Sequence, residues 1–210
     1  MTLVNKKLIK LNDRGVRNVS TFGSVKGGSM VFIKKVTASS DDTISFVDGT
    51  SDVVLDDTYK EYLFTFNNIH PATNAAEFQF NVSIDSGSNY NVAKTTTWFQ
   101  AYHDEADTGA ALGYVTSRDL AQGTGVQVLT HNVGSDNDQC TDGFLRLFNP
   151  SSTVFVKHFI AQGCVAEASD YMEANYCAGY ANTTSAVDAI QFSMSSGNID
   201  AGDICLYGIN

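Results

Sequence analysis

Residues 76–84 read AEFQFNVSI. Apolar Phe78, Phe80, Val82 and Ile84 alternate there with polar Glu77, Gln79, Asn81 and Ser83. A period of two puts the two sets on opposite faces of an extended chain, so the stretch predicts a β-strand with one buried and one wet face. Residues 190–194 repeat the pattern, with Ile190, Phe192 and Met194 against Gln191 and Ser193.

Working outward, similar runs occupy 30–37, 42–47, 61–67, 94–102, 125–130, 143–148, 153–161, 172–179 and 203–209. Turn dipeptides separate them, among them Asp48-Gly49, Ser86-Gly87, Asp142-Gly143, Ser196-Gly197 and Ala201-Gly202. The best helical window, HDEADTGAAL at 103–112, is short and broken by Gly109, and reads as a loop with at most one turn. Many short strands without crossover helices predict an all-β chain, an antiparallel β-sandwich of jelly-roll type. LFTFNNIHP at 63–71 and LRLFNP at 145–150 echo each other. Proline cannot donate to a ladder, so Pro71 and Pro150 are expected at strand exits.

The charges are sorted by position. Residues 1–35 carry eight Lys and Arg against the single acid Asp13, while the rest holds five cations against 22 acids. The head is therefore +7 and the body −17, which gives the net −10. Residues 1–27 lack alternation and read as a basic N-terminal arm or edge segment, with the sandwich domain at 28–210. Lys6, Lys7, Lys10, Arg14 and Arg17 form the expected assembly arm, suited to an acidic partner. These cations are not interleaved with aromatics and the body is acidic, so no nucleic-acid partner is expected.

The first twenty residues hold no apolar run of signal-peptide length, and nothing approaches the roughly 20 apolar residues of a membrane span. Synthesis and folding in a cytoplasm are the expectation, with no membrane partner. Cys140, Cys164, Cys177 and Cys205 fit no zinc spacing and read as small buried hydrophobes.

No GxSxG, GxGxxG or P-loop motif is present, so an enzyme is not expected, and neither a catalytic site nor a cofactor. His70, His103, His131 and His158 show no HxH or HxxxH pair, so a metal triad could be assembled only in three dimensions. No metal site is expected. His70 reads as a corner residue beside Pro71, and His158, alternating with Val156 and Ile160, as a packed strand residue. DNDQCTDG at 136–143 resembles a calcium loop through Asp136, Asp138 and Asp142, yet Cys140 stands where a third oxygen ligand belongs. A solvated acidic loop is the alternative.

Trp98, the only tryptophan, shares a strand face with Thr96, Gln100 and Tyr102, opposite Phe99 and Ala101. If Phe99 faces the core, Trp98, Gln100 and Tyr102 form an exposed contact for glycan or a subunit. If Trp98 is in the core, Phe99 faces a neighbouring strand.

Five blocks carry a family resemblance: TASSDDTISFVDG at 37–49, YKEYLFTFNNIHPATNAAEFQFNVSIDSGSNYN at 59–91, TTTWFQAYHDEA at 95–106, GFLRLFNPSSTVFVKHFIA at 143–161 and AGYANTTSAVDAIQFSMSSGNIDAGDICLYGI at 178–209. Together they resemble small structural proteins of tailed phages of aquatic bacteria, cyanophages and their relatives. The resemblance implies a virion protein, a tail or fibre component or capsid decoration, assembled in the bacterial cytoplasm. It implies other virion proteins as partners and a homo-oligomer, a trimer foremost. It carries no catalytic residues. The alternative in a different class is a receptor-binding module that recognises host-surface glycan through exposed aromatics.

Overall fold

The computed structural model describes residues 29–210, so the arm residues Lys6, Lys7, Lys10, Arg14 and Arg17 lie outside the described residues. Twelve strands and no helix make up the described chain. They are β1 (Met30–Thr37), β2 (Thr43–Val47), β3 (Glu61–Pro71), β4 (Ala76–Ser83), β5 (Lys94–Asp104) and β6 (Ala110–Tyr114). The series continues with β7 (Gln127–Val133), β8 (Thr141–Phe148), β9 (Lys157–Ala166), β10 (Tyr171–Ala181), β11 (Ala189–Met194) and β12 (Ile199–Ile209).

The strands form two antiparallel sheets packed as a β-sandwich. The large sheet has eight strands in the order β1-β12-β3-β8-β9-β10-β5-β6, and the small sheet four, β2-β11-β4-β7. Alternation explains the packing: each strand turns one apolar row inward. Tyr62, Phe64 and Phe66 of β3, with Leu145 and Leu147 of β8, are buried against Phe78 and Phe80 of β4 and Phe192 of β11. Phe192 lies at the centre. Its ring centroid is 5.2 Å from Phe66, 5.5 Å from Phe64 and 5.8 Å from Phe78, so one aromatic cluster joins both sheets.

Bulges bend the strands. Asn68 in β3 adopts φ 51° at a register break against β8, and its N–H donates to Asp142 Oδ1 at 2.8 Å. Gly202 sits at a break in the β12–β3 ladder with φ 116°. A Cβ there would lie 2.5 Å from the Asn68 carbonyl oxygen, so only glycine fits without a shift.

Several sequence expectations need correction. Residues 110–114, within or beside the window read as a loop, form the edge strand β6, whose every side chain is exposed. An edge strand with no buried face has no alternation to detect. β9 starts at Lys157 rather than 153, and its faces are inverted relative to expectation: Lys157, Phe159 and Ala161 are buried while His158 and Ile160 point out. His158 is therefore not packed in the core; its ring lies 5.9 Å from Tyr180 on the outer face. Ile84 follows the end of β4 and is exposed. Among the cysteines, Cys177 and Cys205 are buried as expected, but Cys164 is exposed and Cys140 half-buried. Pro71 ends β3 and Pro150 follows β8, and these two strands are neighbours.

Candidate functional site

The large sheet is wider than the small one, and this difference creates the site. β7 is the edge strand of the small sheet, so the inner face of the large sheet is uncovered beyond it. At that boundary a cleft of about 160 Å³ is lined by Gln100, Tyr102, His131, Glu167, Tyr171 and Glu173.

Each side chain arrives from a different piece of backbone. Gln100 and Tyr102 project from the inner face of β5, and Glu173 from that of β10. Glu167 begins the β9–β10 hairpin, where its N–H donates to the Tyr171 carbonyl at 2.9 Å and its own carbonyl accepts from Asp170 at 3.1 Å. His131 lies in a bulge of β7: Ala76 pairs with Val133 and Phe78 with Thr130, so His131 and Asn132 together face the single residue Glu77. Asn132 takes φ 54° to close the bulge. Such extra residues re-aim a side chain, here the imidazole, out of the ladder.

The three titratable groups converge. His131 Nδ1 is 3.4 Å from Glu167 Oε1 and 3.6 Å from Glu173 Oε1. Both glutamates are buried, Glu173 at 2 % exposure. Asn175 braces the group: its Oδ1 accepts the His131 backbone N–H at 3.1 Å and its Nδ2 donates to Glu173 Oε1 at 2.5 Å. His131 Nδ1 and Gln100 Oε1 are buried without a hydrogen-bond partner. Buried polar atoms are usually satisfied, so two orphans lining one cleft mark an incomplete site. Among the described residues, this is the group of three whose ligand atoms lie within 4.8 Å of one another.

Trp98 is not part of an exposed contact. It is wholly buried, its indole N–H donates to the Val128 carbonyl at 3.1 Å, and the Arg118 guanidinium lies over its ring at 5.4 Å. The reason is β5's orientation, which turns the Trp98 row toward the small sheet. Gln100 and Tyr102 share that inner row but lie past the edge of β7, so they are half-buried in the cleft instead of displayed. Phe99, on the opposite row, is the exposed aromatic.

The three candidate calcium-loop carboxylates, Asp136, Asp138 and Asp142, differ in their surroundings. Asp142 turns its carboxylate to the β3 bulge at Asn68 and to Cys140, while Asp136 and Asp138 stay exposed. No spacing rule links His131, Glu167 and Glu173, which is why sequence inspection missed them.

The outer face of the large sheet is the second notable surface. Across it run the register-aligned row Tyr114, Phe99, Tyr176, Gln162 and Phe144 and, one step along, Ala178, Ile160, Arg146 and Leu63. Phe99 and Tyr176 stack at 4.8 Å and 8°. Phe99, Leu112, Tyr114, Ile160 and Met172 are all exposed. Its charged groups are largely compensated, as in Arg146 with Glu61 at 3.1 Å and Lys35 with Asp203 at 3.0 Å.

No family model, no curated protein and no solved structure matches this chain.

Proposed function

We propose that this chain is a non-enzymatic structural protein of a tailed-phage virion, a tail or fibre component or capsid decoration, that assembles with copies of itself and with other virion proteins. The observation that carries the reading is the outer face of the large sheet. Contiguous exposed apolar side chains on an uncovered sheet face mark a protein contact. The acidic body repels its own copies elsewhere, and the paired charges on this face lift that penalty where copies would meet. The homo-oligomer, a trimer by the family resemblance, seats there. The basic arm, with Lys6, Lys7, Lys10, Arg14 and Arg17, docks on an acidic neighbour in a salt-sensitive way.

We read the strand path as a jelly roll. With β5, β6, β9 and β10 set aside, the sheets run β1-β12-β3-β8 and β2-β11-β4-β7, and successive strands alternate between them except at β4 and β7, which pair within the small sheet. The four remaining strands are two hairpins inserted into that eight-strand wrap. No helix of the described residues is long and apolar enough to cross a membrane.

Host-surface glycan recognition is the second reading, and one observation favours it. A groove of about 360 Å³ on the same outer face is lined by Leu63, Asn67, Asp142, Phe144 and Arg146, a mixture of aromatic and polar groups.

Sedimentation of the purified chain, with Ile160→Asp as the comparison, tests the main reading. Wild type should sediment as an oligomer and the variant as a folded monomer. Monomeric wild type at high concentration would sink self-assembly through this face. Deletion of residues 1–20 should reduce incorporation into particles, and normal incorporation would remove the arm's role. A glycan array with Phe144→Ala separates the second reading.

A further inference from the structure

We propose that His131, Glu167 and Glu173 bind one divalent transition-metal ion of the Mn²⁺ or Zn²⁺ type, through imidazole Nδ1 and one oxygen from each carboxylate. No sequence motif announced this site, and it is independent of the virion reading.

Spacing is the first argument. The separations of 3.4 and 3.6 Å from His131 Nδ1 to Glu167 and Glu173 leave that nitrogen without a hydrogen bond. They do match the distance between neighbouring ligands around a shared ion. Ligands bonded at about 2.1 Å in a tetrahedral arrangement stand about 3.4 Å apart.

Charge is the second. Two buried carboxylates with oxygens within 4.8 Å of each other are expensive unless a cation compensates them. Among the described residues their ion-pair partner is His131 alone, with no Lys or Arg beside them. A divalent ion neutralises both and needs the imidazole only as a neutral donor.

The surroundings supply the third. Asn175 holds the His131 backbone and the Glu173 carboxylate at once, the kind of outer support that orients metal ligands. Gln100 Oε1, buried and without a donor, lines the same cleft, where the remaining coordination positions open. One imidazole with carboxylate and amide oxygens suits Mn²⁺ or Zn²⁺; an all-oxygen set would have favoured Ca²⁺.

The test uses the tag-free full-length chain and Mn²⁺ followed by electron paramagnetic resonance, since Mn²⁺ has little affinity for the exposed Cys164. One equivalent should bind, Zn²⁺ should displace it, and Ca²⁺ should not. Glu167→Gln should weaken binding about tenfold or more, while Cys164→Ala leaves it unchanged. On the wild-type chain, paramagnetic broadening should centre on His131, Tyr102 and Tyr171, a readout that needs no variant to fold. Absence of stoichiometric binding, broadening centred elsewhere, or equal affinity in a folded Glu167→Gln chain would each overturn the proposal. Displacement by Ca²⁺ but not Zn²⁺ would overturn the assignment to a transition metal.

Discussion

The indole N–H of Trp98 donates to the backbone carbonyl of Val128 across 3.1 Å, joining β5 of the large sheet to β7 of the small one. This bond lies where β7, the edge strand of the small sheet, meets the widened part of the large sheet. It therefore fixes the position of the strand that carries His131.

Replacing Trp98 should be costly for stability. Trp98→Phe removes the bond and shrinks the buried ring, while the Val128 carbonyl keeps the Gln127 Nε2 donor at 3.0 Å, so the cost should be about 1–2 kcal/mol. Trp98→Ala adds a large cavity and should cost about 3–5 kcal/mol. Urea denaturation followed by circular dichroism measures both. A neutral Trp98→Ala would show that the ring is not in the core.

Lys94 gives the fold a pH dependence. Its ammonium is wholly buried, donating to Asn81 Oδ1 at 2.5 Å and to the Val92 carbonyl at 3.0 Å, and burial lowers its pKa to about 8. The unfolded chain keeps the ordinary value of 10.5, so between the two the unfolded state holds more protons. Below pH 8 the penalty, about 3 kcal/mol, is fully present; as pH rises toward 10.5 it is relieved. The difference in stability between wild type and Lys94→Met, measured from pH 7 to 10, should therefore change steadily in favour of wild type. A flat difference curve would contradict the burial of a charged Lys94. Lys157, also shifted down by burial, should show the same sign.

Gly202 tests the β12 bulge. With φ 116° and the Asn68 carbonyl 2.5 Å from any added Cβ, Gly202→Ala should destabilise by about 2 kcal/mol or more. A variant as stable as wild type would mean the bulge relaxes freely.

Thiol labelling distinguishes the faces of the large sheet. Cys164 on the outer face should react quickly with a disulfide reagent. Cys177, whose thiol burial pushes up to about 12, should react only after unfolding. If copies meet on the outer face, Cys164 labelling should slow as protein concentration rises. Equal rates for the two cysteines would argue against the assigned faces.

Alternation made most of this fold legible. Phe78, Phe80 and Val82 face the core as their spacing required, and the β1 boundaries agree with the run 30–37. The signal failed where burial is not one-sided. β6 is exposed on both faces, and in 153–161 the run TVFVKHFIA is apolar enough on both rows to hide which one turns inward. There the buried Lys157 takes a core position that a hydropathy pattern assigns to water. The site was illegible for a different reason. His131, Glu167 and Glu173 come from three strands or turns, and the β7 bulge at Asn132, the Val133–Glu167 bridge and the β9–β10 hairpin bring them into one cleft.

The two hairpins that widen the large sheet also impose an order on the birth of the molecule. β5–β6 attaches to the sheet through β10, with Lys94 opposite Ala181 and Asp104 opposite Tyr171. A ribosome therefore releases β5 long before its partner exists, and the exposed edge must wait through the synthesis of β7, β8 and β9. β1 waits longer still, since it pairs with β12 alone. Pairings this distant in sequence close slowly and leave strand edges open to strangers. The strong net negative charge of residues 36–210 is then a safeguard for the nascent chain, holding unfinished copies apart until each has made the last strand that completes its own sheet.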